Sequence, residues 1–122
     1  MAQARIKNTR SNKHPPQTFE LDGLVLNPTG QEVTVNGQAH HLTPKECRLL
    51  TTLMQHAGQV LTREFLMQAV WDTHYTGDTR TLEVHIAWLR KKLEEDTSNP
   101  QRILTVRGAG YMFSTKNERS RA

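Results

Sequence analysis

The sequence has little cysteine and no long apolar run. Its one cysteine, Cys47, excludes an intramolecular disulfide framework and a zinc ribbon built on cysteines. No run of about 18 apolar residues occurs, so we expect no transmembrane helix. The N-terminus also lacks the apolar stretch of a signal peptide. The expected compartment is therefore a reducing cytoplasm.

Hydrophobic residues are also scarce, at 35% of 122 positions, which indicates one domain flanked by segments that do not fold. Residues 1–17 contain four basic residues and no acidic one, and residues 116–122 contain three basic and one acidic. Residues 18–115 contain 9 basic and 11 acidic residues. The net charge of +4 therefore does not by itself argue for nucleic-acid binding. We predict a flexible basic linker or tail over 1–17, a folded domain over 18–115 and a disordered C-terminal tail over 116–122.

Residues 18–42 have the pattern of a small antiparallel sheet. Short apolar runs are separated by Asp22-Gly23, by residues 27–30 and by Asn36-Gly37. Asn-Gly is the strongest short hairpin signal, because both residues tolerate a positive φ. The pattern predicts three or four short strands, which need a helical layer to cover them.

A first helix is predicted to follow these strands. Thr43 is a good N-cap, Pro44 suits the first helical turn, and Glu46 completes a capping box. Gly58 is expected to end the helix. Cys47 lies on its apolar stripe and is interpreted as a small buried hydrophobic residue.

Two more helices are predicted. The second is capped by Thr62, ends at Trp71-Asp72, and is expected to direct Phe65, Leu66, Ala69 and Val70 to the core. The third is capped by Asp78 or Thr79 and runs to about Glu95. One stripe of the third helix is apolar: Leu82, Ile86, Leu89 and Leu93. The opposite face carries Arg80, Val84, Ala87, Trp88 and Lys91.

A β-hairpin is predicted at the end of the folded segment. Residues 103–106 and 111–113 have strand character and flank a glycine-bearing tip that contains Arg107. The fold class is therefore α+β: a winged helix-turn-helix with an N-terminal antiparallel sheet, three helices and a C-terminal β-hairpin wing. In this arrangement the third helix can enter a major groove and the hairpin can reach the adjacent minor groove.

Residues 18–115 resemble the C-terminal DNA-binding effector domain of the OmpR/PhoB family of bacterial response regulators. The resemblance rests on LTPKECRLLTTL, LTREFLMQAVW, TRTLEVHIAWLRKKLE and ILTVRGAGYMF, in this order and spacing. It implies sequence-specific binding of double-stranded DNA and control of transcription within a two-component phosphorelay. It also implies a receiver domain, which this chain lacks, so we expect an excised effector domain more than a stand-alone one. No cofactor, metal or enzymatic activity is implied.

The resemblance assigns DNA contacts to the third helix, to the wing and to the end of the second helix. Base and phosphate contacts are expected first from Arg80, Val84, Ala87, Trp88 and Arg90. Lys92 is expected to bind phosphate together with Trp71, Arg90 and Lys91, and Arg107 to enter the minor groove. The full predicted set is Trp71, Arg80, Thr81, Glu83, Val84, His85, Ala87, Trp88, Arg90, Lys91, Thr105, Arg107 and Tyr111.

Two positions depart from the family pattern. Ala87 and Trp88 stand where relatives often carry arginine or another polar residue, so base specificity is not carried over. Ala87 can only make an apolar contact, for example with a thymine methyl group. Trp88 has two interpretations: partial burial against the wing or the first helix, or packing on the DNA backbone with its indole N–H donated to a phosphate.

The resemblance also implies partners beyond a single DNA site. Two copies of such domains commonly bind direct repeats head to tail, so the chain is expected to be a weak monomer that pairs on DNA. The loop after the second helix resembles one that contacts RNA polymerase in some relatives. That loop consists of Thr73, His74, Tyr75, Thr76, Gly77 and Asp78.

Other functions have less support. A winged helix that binds proteins is the main alternative, because the folded segment is slightly acidic and Trp88 is expected to be exposed. An enzyme is disfavoured, since none of the six histidines forms an HxxxH or HExxH pair. His40-His41 is more typical of a strand edge than of a metal site.

Overall fold

The computed structural model describes residues 18–74 and 77–114. The predicted tails, 1–17 and 116–122, and the loop residues Tyr75 and Thr76 lie outside the described residues. The elements are β1 (Phe19–Leu21), β2 (Leu24–Asn27), β3 (Glu32–Val35), β4 (Gln38–His41), α1 (Pro44–Gln55), β5 (Val60–Thr62), α2 (Arg63–Trp71), α3 (Arg80–Leu93), β6 (Ile103–Val106) and β7 (Gly110–Phe113).

The first sheet is an antiparallel meander in the order β1-β2-β3-β4, as the turn signals predict. Asn36 and Gly37 form the two-residue turn between β3 and β4 with φ of 49° and 89°, a backbone that favours this residue pair. Leu24, Leu26 and Val33 are fully buried and cover the helices on one face. His40 and His41 lie on the edge strand β4, which confirms the strand-edge interpretation.

Helix α1 begins with the predicted capping box. The Thr43 hydroxyl accepts from the Glu46 N–H at 3.2 Å, and Glu46 Oε1 accepts from the Thr43 N–H at 2.8 Å. The predicted end at Gly58 is wrong by a few residues, because the helix ends at Gln55 with His56 as its C-cap. Gly58 follows with φ of 86°, and its N–H donates to the Phe113 carbonyl. That bond turns the chain into β5 instead of closing the helix.

The core face of α2 differs from the prediction at one position. Leu66, Met67 and Val70 are its buried residues, whereas Phe65 is 42% exposed. Phe65 lies in the first turn and meets the His56 ring edge-on at 5.5 Å. Phe65 and Met67 point about 200° apart on the helix, and Leu66 and Val70 lie between them, so the apolar pattern of these nine residues fits a core face on either side. Asp72 ends the helix with φ of 56°.

Helix α3 ends at Leu93, two residues before the predicted end. The acidic residue that follows has a defined structural role. Glu94 accepts from the backbone N–H groups of Gln101, Arg102 and Ile103 at 2.8–3.1 Å. This carboxylate therefore fixes the chain that leads from α3 into β6.

The second sheet has the order β5-β7-β6. The hairpin of β6 and β7, called the wing below, was predicted. The antiparallel pairing of β5 with β7 was not, because a three-residue strand between two helices carries no signal of its partner. This pairing places the start of α2 beside the wing, since Thr62 lies opposite Gly110.

One hydrophobic core joins both sheets and all three helices. Cys47 belongs to it as predicted, and burial raises the pKa of its thiol. Within the described residues, no helix has the length and apolar character needed to cross a membrane.

Candidate nucleic-acid interface

The outward face of α3 is opposite its core stripe, as the sequence predicts. Leu82, Ile86, Leu89 and Leu93 are buried on the inner side. On the outer side, Val84 is 42% and Trp88 43% exposed, and Ala87 is exposed between them. Arg80 lies at one end of this outer face and Lys91 at the other, and both are exposed.

Arg80 is held by the residue that precedes α3. Its Nε and Nη2 donate to the two Asp78 oxygens at 3.0 and 2.7 Å, and Asp78 Oδ1 also accepts the Arg80 backbone N–H. Thr79 occupies the N-cap position of α3 but makes no cap hydrogen bond with its side chain, and Asp78 supplies the oxygen that accepts the first helical N–H. Each of the two predicted cap residues therefore has part of the role. The hydrogen bonds from Arg80 lower the pKa of Asp78 to about 2.

Arg90 fastens α3 to the wing. Its guanidinium donates twice to the Ile103 carbonyl, at 3.1 and 2.7 Å, and once to the Thr105 hydroxyl, at 2.9 Å. Burial lowers the pKa of this guanidinium. The predicted phosphate contact of Arg90 stays a prediction, and the structure adds a bracing role that the sequence did not reveal.

The wing tip is a three-residue loop with Arg107 exposed at its start. Its closure depends on a hydrogen bond from the Ala109 N–H to the Val106 carbonyl at 2.9 Å. Thr105 is exposed on β6, opposite Tyr111 in the register. Tyr111 is buried, with the Arg63 and Arg90 guanidinium carbons 5.3 and 5.9 Å from its ring centroid.

Three aromatic rings adjoin the outer face of α3. The His85 ring lies 5.0 Å from the Trp71 ring and 4.9 Å from the Trp88 ring, centroid to centroid. His85 Nδ1 is 2.7 Å from the Thr81 carbonyl, so this nitrogen carries a proton and donates it. The rings of Trp71, His85 and Trp88 thus form a connected cluster. Within the described residues, the aromatic ring that Trp88 packs against is that of His85.

Lys92 lies away from this face and does not fit the predicted phosphate role. Its ammonium donates to Glu46 Oε1 at 2.7 Å and to the His41 carbonyl at 2.9 Å, which ties α3 to α1 and β4. Burial raises the pKa of Glu46, but hydrogen bonds from Lys92 and from the Thr43 N–H outweigh it and hold the pKa below its ordinary value. Lys92 therefore stabilises the packing of α3 against α1 and β4, because its side chain lies between these elements.

The remaining predicted residues lie around α3. Glu83 accepts from the Thr79 hydroxyl at 3.2 Å, and Thr81 is exposed. Of the predicted polymerase loop, Thr73, His74, Gly77 and Asp78 are described, and Asp78 accepts the first N–H of α3. The structure thus brings Arg80, Val84, Ala87, Trp88 and Lys91 onto one helical face, with Arg107 on the wing that Arg90 braces. These six residues, Arg80, Val84, Ala87, Trp88, Lys91 and Arg107, are called the α3–wing surface below.

Comparison with known proteins places this arrangement in a family. The family described as "Transcriptional regulatory protein, C terminal" matches residues 37–113. The chain belongs to this family, the OmpR/PhoB-type effector domains. It is 40% identical over 114 residues to the alkaline phosphatase synthesis transcriptional regulatory protein SphR of Synechococcus elongatus, covering 91% of this chain and 44% of SphR.

A second relative of this effector domain is the sensory transduction protein RegX3 of Mycolicibacterium smegmatis. It is 52% identical over 79 residues, which covers 65% of this chain and 35% of RegX3. The chain therefore spans less than half the length of either relative.

Solved structures of the family share the winged-helix fold. The RstA DNA-binding domain of Klebsiella pneumoniae, in complex with the RstA box, superposes with a TM-score of 0.73 at 34% identity. The DNA-binding domain of CpxR from E. coli gives a TM-score of 0.70 at 41% identity. Each match covers 80% of this chain and 96% of the other chain.

One residue of this effector domain beside the interface was missed by the sequence reasoning. Arg63, the first residue of α2, lies over the Tyr111 ring, and its Nε is 3.9 Å from Glu83 Oε2. It adds a cation where α2, α3 and the wing meet. The only local signal is an arginine directly after the helix cap Thr62, and its position beside the wing depends on the pairing of β5 with β7.

Proposed function

We propose that this effector domain binds a specific double-stranded DNA sequence and thereby controls transcription, with α3 in the major groove and the wing at the adjacent minor groove. The observation that carries the proposal is the bracing of the wing by Arg90, whose hydrogen bonds to Ile103 and Thr105 hold the strand that leads to the Arg107 tip beside the exposed face of α3. A helix with a strand ribbon beside it has the dimensions to occupy neighbouring grooves.

The positions of the basic residues support this proposal better than the net charge of the chain does. Arg63, Arg80, Arg90, Lys91 and Arg107 all lie on the start of α2, on α3 or on the wing tip. By contrast, Glu94, Glu95 and Asp96 follow the C-terminal end of α3, beside a groove lined by His40, Gln38 and Asn99. These three acidic residues therefore lie beyond the C-terminal end of α3, whereas Asp78 and Glu83 adjoin the interface cations Arg80 and Arg63.

Roles can be assigned within the proposed interface. Arg80 and Lys91, at the two ends of the outer face of α3, are suited to phosphate contacts on either side of the major groove. Arg107, at a narrow hairpin tip, is suited to a minor groove of enhanced negative potential. Trp71 and Thr105 flank these positions and are proposed to contact the DNA backbone, with Glu83, His85 and Thr81 supporting α3. Tyr111 is buried beside the Arg63 and Arg90 guanidinium groups, so we do not propose the DNA contact that the sequence predicted for it.

Selection from a random duplex library tests the proposal. The purified chain and a version trimmed to residues 18–115 are expected to enrich the same motif. Arg80→Ala and Arg107→Ala are each expected to weaken binding of that motif by about 1–3 kcal/mol and to lower the salt dependence. Arg48→Ala is the matched control, because it removes one exposed cation from α1, outside the α3–wing surface.

The main alternative is a winged helix that recognises a protein. It predicts that neither version enriches a motif, and that the full chain binds duplexes only through its basic segments. Equal loss of affinity in Arg48→Ala and Arg107→Ala would favour that alternative, since it would show binding by net charge alone. No named relative or superposed structure favours a protein-binding role.

Finer features of the function are proposed from the family resemblance. We propose that two copies pair head to tail on direct repeats, that loop 73–78 contacts RNA polymerase, and that a receiver domain in the same regulator controls the effector domain in the cytoplasm. The chain itself is proposed to act without a cofactor or catalysis. Sedimentation of the chain alone, and with duplexes carrying one or two copies of the selected motif, tests the pairing: a dimer is expected only on two copies.

A further inference from the structure

We propose that Val84, Ala87 and Trp88 form an apolar reading stripe that selects thymine by its C5-methyl group in the major groove. This inference rests on the proposed function and names the chemistry that the interface recognises. The operator is then expected to present thymines where the middle of α3 enters the groove.

The stripe lies at the centre of the exposed face of α3. Val84 and Trp88 are one helical turn apart, and Ala87 lies beside both. Val84 and Trp88 are two of the four large hydrophobic side chains that are exposed in the described part of the chain. Cations flank the stripe, with Arg80 on the N-terminal side and Lys91 on the C-terminal side. An exposed apolar strip between two phosphate-binding positions is placed to meet base edges.

Most polar side chains of α3 are already engaged within the fold. Arg80 is held by Asp78, Glu83 by Thr79, and His85 by the Thr81 carbonyl. Arg90 and Lys92 are held by the wing and by Glu46, and the two remaining polar residues, Thr81 and Lys91, are exposed towards the two ends of the helix. The middle of the helix therefore offers little hydrogen-bonding capacity to bases. The thymine C5-methyl is the apolar group among the donors and acceptors that the bases present in the major groove, and it is therefore the group that an apolar side chain can recognise.

Trp88 is supported in a defined position. Its ring packs on His85, which is fixed by the Thr81 carbonyl and packs in turn on Trp71. A side chain supported before binding loses less conformational freedom when it docks. The Trp71–His85–Trp88 cluster therefore supports the indole from one side and leaves part of its apolar surface exposed.

The experiment removes methyl groups from the DNA one at a time. In the selected operator, each thymine is replaced by deoxyuridine, which lacks only the C5-methyl group, and binding is measured by fluorescence anisotropy. At one to three central positions, we expect each replacement to lower the affinity of the operator about fourfold. This is the change that corresponds to the free energy of burying one methyl-sized group. Trp88→Ala and Val84→Ala are expected to bind the thymine operator more weakly and to lose sensitivity to deoxyuridine at their own positions. Arg107→Ala, the control, is expected to bind more weakly and to keep that sensitivity.

The outcomes separate this inference from the proposed function. An enriched motif whose affinity no deoxyuridine changes would overturn the thymine assignment and leave DNA binding intact. Sensitivity that persists unchanged in both Val84→Ala and Trp88→Ala would assign methyl recognition to other residues and also overturn it. A failure to enrich any motif would overturn the proposed function itself. Thermal unfolding by circular dichroism checks that the variants fold, which is expected because both side chains are exposed.

Discussion

The guanidinium of Arg90 on α3 donates two hydrogen bonds to the carbonyl oxygen of Ile103 at the start of the wing, from Nε at 3.1 Å and from Nη2 at 2.7 Å. This fork joins the two elements of the proposed interface through a single side chain. A lysine in its place would keep the charge but would lack the planar pair of donors. Arg90 thus links the helix directly to the wing, in addition to the burial of Ile103 and Phe113 in the core.

Replacement of Arg90 is predicted to affect folding and binding together. Arg90→Lys is expected to lower the free energy of unfolding by about 1–3 kcal/mol, because the Ile103 carbonyl and the Thr105 hydroxyl lose their partner. Affinity for the selected operator is expected to fall as well. Urea unfolding and anisotropy titrations measure the two effects. A lysine variant with wild-type stability and affinity would show that Arg90 acts only as a charge.

Asp78 is predicted to restrain DNA binding, because it occupies the guanidinium of Arg80. Its pKa of about 2 keeps it ionised at any pH near neutrality. Asp78→Asn retains an oxygen for the Arg80 backbone N–H and removes the charge. We expect operator affinity to rise about two- to fivefold at low salt, and less at high salt. Asp96→Asn, which removes an exposed charge beyond α3, is the matched control. A loss of affinity in Asp78→Asn would instead show that the pair positions Arg80 for DNA.

The Lys92–Glu46 pair is predicted to stabilise the fold at neutral pH and to fail in acid. The pKa of Glu46 is lower in the folded chain than its ordinary value of 4.5. Its contribution is therefore complete above that value and is lost as the pH falls through the folded pKa. Glu46→Gln is expected to lower the free energy of unfolding at pH 7 by about 1–3 kcal/mol and to flatten its decline in acid. Urea unfolding at pH 7 and pH 3.5 tests this, and parallel declines in both proteins would contradict it.

Gly110 is predicted to be indispensable for the wing. A Cβ at this position would lie 2.0 Å from the Leu61 carbonyl oxygen, so β5 would have to move away from β7. Gly110→Ala is expected to cost on the order of 3–5 kcal/mol in unfolding free energy. Gly108→Ala, at φ of 73° with no atom near the added Cβ, is the matched control and is expected to cost about 1–2 kcal/mol. Thermal unfolding of both variants measures the difference, and equal costs would show that the contact with Leu61 is not decisive.

Sequence reasoning succeeded where a local rule has a single outcome. The capping box of Thr43 and Glu46, the Asn36-Gly37 turn, and the core stripe of α3 follow from hydrogen-bonding capacity, tolerated φ values and helical periodicity. The exposed face that carries Val84 and Trp88 follows from the same periodicity. The prediction failed for Phe65, because α2 is too short for its apolar pattern to define which side of the helix faces the core.

The sequence by itself determined the order of strands, helices and hairpin, and the residue types that α3 exposes, because these depend on interactions between near neighbours in the chain. Only the tertiary structure decided which basic side chains of α3 remain available to bind DNA. Arg90, Lys91 and Lys92 are consecutive, yet Arg90 braces the wing and Lys92 binds Glu46, while Lys91 lies exposed. Successive residues of a helix point about 100° apart, so each meets a different neighbour, and those neighbours come from distant parts of the chain.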